Sequence, residues 1–160
     1  MEYQAYKISD WGENVYVKIP IMNTEEKSSS DLIRTLSKNG IKINVTAILT
    51  MEQITEAIKS LGNVKSIISI FAGRIADTGV NPYARFRYAS FYKEGMQQIL
   101  WASTRQLYNI IEAEEYNADI ITIPHELLKK MHLRYKNLYD LSLDTVKMFY
   151  EDAKASGLEL

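Results

Sequence analysis

Cysteine is missing from this 160-residue chain, which excludes disulfides and thiolate metal sites and is compatible with the cytosol. A surplus of either charge is missing as well. With 19 basic and 20 acidic residues the formal net charge is −1, so no electrostatic footprint for nucleic acid or for an anionic membrane is present. No apolar run approaches the ~20 residues that span a bilayer, and the N-terminus lacks a signal-peptide pattern. Histidine occurs twice, as His125 and His132, outside the i, i+4 spacing of a helical metal pair. No proline- or glycine-rich linker and no low-complexity segment divides the chain. A soluble, cytoplasmic, single domain over residues 1–160 is therefore expected, with 46% hydrophobic residues to supply its core.

What is present is an alternation of short apolar segments with amphipathic ones. Residues 14–21, Asn-Val-Tyr-Val-Lys-Ile-Pro-Ile, are β-branched and aromatic and end on a proline, which predicts a strand. Further strands are predicted at 41–49, 65–71, 98–103 and 119–124. Between them lie helical patterns at about 30–39, 51–61, 82–95 and 104–116. Thr50 and Gln53 have the form of a capping box, Asn81-Pro82 of a helix start, and Gly40 and Gly62 of helix stops. Residues 72–79 read as a glycine-containing loop. A short helix follows the fifth strand, and a last helix at about 142–156 is expected to be capped by Ser142, with Val146, Phe149 and Tyr150 facing inward. Strand and helix alternate at a spacing of ~20 to 30 residues, which predicts an α/β fold with a parallel sheet and helical crossovers.

Lys18 is the anomaly in the first strand. Such a lysine sits either at a sheet edge with its ammonium in water, or in a concave site where desolvation favours the neutral, nucleophilic amine. The later strands bear on this choice. Alternation puts Asn14, Tyr16 and Lys18 on one face, Asn44 and Thr46 on one, Ile67, Ser69 and Phe71 on one, and Trp101 and Ser103 on one. The opposite parity, including Leu100 and Ala102, is apolar and suits burial under helices. In parallel sheets ligands bind at the C-terminal strand ends, so polar residues recurring there predict a shared site around Lys18. Arg74 and Arg105 follow two of those strands closely, and the Ser103-Thr104-Arg105 turn is expected to open a helix, an arrangement suited to an anion. Asp77 is assigned a structural turn role.

Four segments in order, Val17-Lys18-Ile19-Pro20, Gly40-Ile41-Lys42-Ile43-Asn44-Val45-Thr46, residues 69–77 and Ala102-Ser103-Thr104-Arg105, resemble the transaldolase family, which includes the fructose-6-phosphate aldolases. The resemblance runs from Asn14 to the end. It implies a TIM-barrel-type fold and a Schiff-base enzyme that moves a three-carbon ketol unit between sugar phosphates in carbohydrate metabolism, without a cofactor. On it, Lys18 forms the imine and Thr46 helps hold the catalytic water. Asn44 and Ser69 contact sugar hydroxyls, and Arg74, Ser103 and Arg105 bind the phosphate. Phe71 stands where the aldolases carry a tyrosine, which favours transfer over free cleavage.

The family's barrel has eight strands with its lysine on the fourth, whereas here the lysine is on the first strand visible. About five βα units, a partial barrel, are expected, without the family's site aspartate, asparagine and acid/base glutamate. Proton transfer contributes ~10² to 10⁴ in rate, so weak or absent activity is expected. The competing readings are a non-catalytic sugar-phosphate-binding or interaction protein and a doubly wound sheet of the flavodoxin type. An unclosed sheet exposes edges that recruit other chains, so a homo-oligomer is expected. Light scattering checks this: a stable monomer that resists concentration would refute it.

Overall fold

Isoleucine, valine and their neighbours place five strands where the apolar segments run: β1 (Val17–Pro20), β2 (Ile43–Ile48), β3 (Ser66–Ile70), β4 (Gln97–Trp101) and β5 (Ile120–Ile121). The computed structural model describes residues 1–157, which fall into two compact units, Met1–Pro124 and a helical unit beginning at His125. In the first unit the strands form one sheet in the order β1-β2-β3-β4-β5, each pair parallel. Helix α1 (Glu2–Ser9) precedes β1. The crossovers are α2 (Ser30–Lys38), α3 (Met51–Leu61), α4 (Ala72–Asp77) with α5 (Tyr83–Tyr92), and α6 (Asn109–Glu115). Sequential neighbours without a reversal of strand order are the arrangement of a (β/α) barrel and not of a doubly wound sheet. The flavodoxin-type reading is thereby excluded, and the chain has the architecture of a partial TIM-barrel-type unit.

Local chemistry sets the helix ends. Thr50 accepts from the Gln53 amide at 3.2 Å while the Gln53 side chain accepts from Thr50 N–H at 3.1 Å, so the expected capping box opens α3, and Gly62 closes it at φ +61°. Asn81 Oδ1 accepts from Tyr83 N–H at 2.8 Å at the start of α5.

One face of the sheet lies under the helices. Val17, Ile19, Ile43, Val45, Ile48, Ile68, Ile70 and Ile99 join Ile33, Leu36, Ile54 and Phe86 in a continuous core. Trp101 belongs to this layer, stacked on Phe86 at 4.9 Å and 5.8 Å from Tyr116. The opposite face carries a smaller cluster, Ile67, Leu100 and Ala102, with Tyr16, Phe71 and Ile120 against it. The expected facing of β4 is therefore reversed. Its pairing, Ser69 with Leu100 and Ile70 with Trp101, carries the indole to the helix side, where α5 and α6 supply aromatic neighbours large enough for it.

Two predicted boundaries also move. Residues 72–77 form α4 rather than a loop, and the helix after β4 starts at Asn109 rather than Thr104. The second unit comprises α7 (His125–Leu128), a 3₁₀ turn (Lys129–Leu133) and α8 (Leu138–Ser156). Asn137, not Ser142, caps α8, accepting from Tyr139 N–H at 2.8 Å and Asp140 N–H at 3.3 Å. Val146, Phe149 and Tyr150, expected to face inward, are 59%, 61% and 64% exposed.

Phe86 is fully buried at the centre of the core's aromatic group. Phe86→Ala should cost about 3–5 kcal/mol, read as a lower urea midpoint, and Phe86→Leu distinctly less. Loss of under about 1 kcal/mol in the alanine variant would show that the ring is not part of a close-packed core.

Candidate active site

Register decides which side chains meet. Lys18 pairs with Asn44 across β1 and β2, and residues in register on parallel strands project to the same face. Asn44 Oδ1 accepts from Ser69 Oγ on β3 at 2.6 Å, and Ser69 is fully buried. A lysine, an amide and a hydroxyl therefore line one face across three adjacent strands, as predicted.

Phe71, directly after β3, is shared by two cations. Lys18 Nζ lies 6.0 Å and the Arg74 guanidinium 5.2 Å from its ring centroid, both within range of the ring's negative face. Thr46 is 9% exposed, and its Oγ1 has no hydrogen-bond partner among the described residues. A bulge follows at once. Ala47 adopts φ +62° and the β2–β3 register shifts between Val45 and Ile48. By simple alternation Ile48 would share the face of Asn44 and Thr46; instead it is buried in the helix-side core. The extra residue lets a polar site face and an apolar end coexist on one short strand.

A second cluster forms where β3 and β4 end. Gly73 N–H donates to Ala102 O at 3.5 Å, and a Cβ on Gly73 would stand 1.7 Å from Ser103 O and 2.9 Å from Arg105 Cγ. Only glycine admits this approach of the turn after β4 to α4. Ser103 leaves the strand at φ +65°, which ends the alternation at Ala102. Thr104 Oγ1 then donates to Thr122 O at 2.6 Å. Asn109 accepts from the N–H groups of Arg105 and Gln106 at 2.9 and 3.0 Å and donates to Glu112 at 2.6 Å. Arg105 itself donates through Nε and Nη2 to Asp77 Oδ2 at 3.1 and 2.6 Å.

The placements of the predicted residues divide as follows. Lys18, Asn44, Ser69, Phe71 and Arg74 are linked by contact or register, and Thr46 follows Asn44 on β2. Ser103 and Arg105 form the neighbouring cluster, joined to Arg74 through Gly73. Two expectations are corrected. Arg105 sits in a turn four residues ahead of α6 rather than at a helix start, because Asn109 takes the amides that a helix start would present. Lys18 is exposed rather than held dry, because β1 is paired with β2 alone and its other side is open among the described residues. Asp77, assigned a structural turn role, ends α4 and pairs with Arg105, while Gly73 and Asn109 were not singled out as parts of this region. Their available signals were a glycine beside an arginine just past a strand, and an asparagine three residues before Glu112.

Comparison with known proteins agrees with this geometry. The family model described as Transaldolase/Fructose-6-phosphate aldolase matches residues 1–160. A protein named probable transaldolase in Streptococcus pyogenes serotype M5 (strain Manfredo) is 34% identical over 155 residues, covering 95% of this chain and 67% of the relative. The same figures hold for a protein of that name in serotype M49 (strain NZ131).

Gly73→Ala should force α4 and the turn at Ser103 apart. We expect a loss of about 1–3 kcal/mol in denaturant unfolding, with amide resonance shifts concentrated at residues 102–106. Unchanged stability and an unchanged spectrum there would show that the approach is not close.

Proposed function

The chain belongs to the transaldolase/fructose-6-phosphate aldolase family, and from that premise we propose that its transaldolase-like function runs through an imine on Lys18. The amine adds to the carbonyl carbon of a ketose phosphate and water leaves, giving a protonated imine. The carbon–carbon bond one carbon further along then breaks. Its electron pair enters the iminium to form a three-carbon enamine, the hydroxyl proton goes to a base, and an aldehyde phosphate departs. Attack of the enamine on a second aldehyde, then addition of water to the imine, completes the transfer and frees the amine.

The observation that carries this reading is the register pair of Lys18 with Asn44, bonded in turn to Ser69, on the face of the sheet turned away from the helix-covered core. In this reading Asn44 and Ser69 meet the sugar hydroxyls, and the unpartnered Thr46 hydroxyl holds the water that adds and leaves. Arg74, Ser103 and Arg105 take the phosphate. Phe71 offers a ring and no hydroxyl, which suits transfer to an acceptor over release by free cleavage.

No helix among the described residues is long and apolar enough to cross a membrane, and a cytoplasmic place in carbohydrate metabolism is part of the proposal. So are the single domain, a homo-oligomeric state and the absence of nucleic-acid partners. The exposure of Lys18 favours one second reading, a protein that binds sugar phosphates without reacting with them.

Borohydride reduction in the presence of fructose 6-phosphate separates the two. We expect a stable three-carbon adduct on Lys18, located by peptide mass, and its loss in Lys18→Ala. Absence of any adduct at saturating substrate would leave the binding reading in possession.

A further inference from the structure

The Asp77–Arg105 pair has no part in the carbonyl chemistry, yet its geometry is specific. Arg105 gives both Nε and Nη2 to a single oxygen, Oδ2 of Asp77. A guanidinium carries five N–H groups in a planar fork. This grip occupies the Nε edge and leaves the terminal edge, both Nη1 hydrogens and the outer Nη2 hydrogen, which can take two phosphate oxygens side by side.

Both side chains are 52% exposed, and ion pairs so open to water add little to stability. Folding is therefore a poor account of the carboxylate. Restraints converge on this arginine from three sides: Asn109, 7% exposed, accepts from its backbone N–H, Gly73 admits its stem, and Asp77 holds its head.

We propose that Asp77 is a positioning residue, gripping Arg105 by its Nε edge so that the terminal edge is presented to the substrate's phosphate. This rests on the phosphate-binding role given above to Arg105 and deepens it. An arginine free on a turn samples many rotamers and must be ordered when its ligand arrives, and a side chain ordered beforehand avoids that loss. A carboxylate near a phosphate also repels it. The two effects have opposite signs, so removing Asp77 tells them apart.

The experiment is a titration of the full chain with inorganic phosphate, followed through the backbone amides of residues 103–106. In the unaltered protein these amides should shift saturably, and Arg105→Ala should abolish most of the effect. Asp77→Ala should weaken binding about fivefold with the spectrum elsewhere unchanged. Asp77→Ser should repeat that loss, and Asp77→Glu should recover much of it. In the Arg105→Ala background, Asp77→Ala should add nothing. Equal or tighter binding by Asp77→Ala and Asp77→Ser overturns the inference, because the carboxylate would then act as a bare charge or not at all. If the unaltered chain shows no saturable shift and Arg105→Ala matches it, the phosphate role of Arg105 falls, and the inference with it.

Discussion

The in-register parallel pairing of β1 with β2 is the constraint on which the rest of the molecule depends. Val17 opposite Ile43 and Ile19 opposite Val45 turn toward the helices, and Lys18 opposite Asn44 turns away from them. A slip of one residue would drive the ammonium into the apolar layer that holds Ile33 and Leu36, at a cost of several kcal/mol for an unpaired buried charge. The alternation that builds the core therefore also selects the face on which the amine stands. The Ser69–Asn44 hydrogen bond extends that choice to β3, since it requires both side chains on the same side of the sheet.

Backbone irregularities shape the region at the C-terminal strand ends. Ala47 and Ser103, neither a glycine, adopt φ of +62° and +65°. Such conformations cost of order 1–3 kcal/mol each and persist only where the surroundings over-determine them. At Ala47 the shift of register is the return, because it buries Ile48 while Asn44 and Thr46 stay on the site face. At Ser103 the chain is turned so that its carbonyl lies against Gly73 and Arg105 comes within reach of Asp77. The segment that carries Arg74 over Phe71 and the turn that carries Arg105 beside Asp77 are thus joined by main-chain packing at Gly73.

Among the described residues β1 pairs with β2 alone, and the Lys18 side chain is exposed there. Pro20, which has no N–H to offer, ends β1, and an antiparallel bridge between Met22 and Ser28 closes the chain just beyond it. A proline, which lacks an N–H, suits a strand end without a partner on that side. The Phe71 ring centroid lies 6.0 Å from the lysine head, so the exposed amine has a π-face beside it.

Much of this was legible in the residues. Period-two apolar runs and β-branching located five strands, Thr50 with Gln53 and Gly62 bounded α3, and the polar residues at strand ends marked Lys18, Asn44, Thr46 and Ser69 as one group. These follow from local rules, because alternation and capping depend on residues only a few positions apart. Tertiary structure alone decided the facing of Trp101, the bulge at Ala47, the helix at 72–77, the late start of α6 and the exposure of Lys18. Several depend on a partner distant in sequence or on its absence among the described residues: Phe86 and Tyr116 for the indole, Gly73 for Ser103, Asp77 for Arg105, and the open side of β1 for the amine. Sequence determined which elements form and which residues they carry. Packing decided which way each side chain points, because a strand has two faces and only its neighbours say which one is covered.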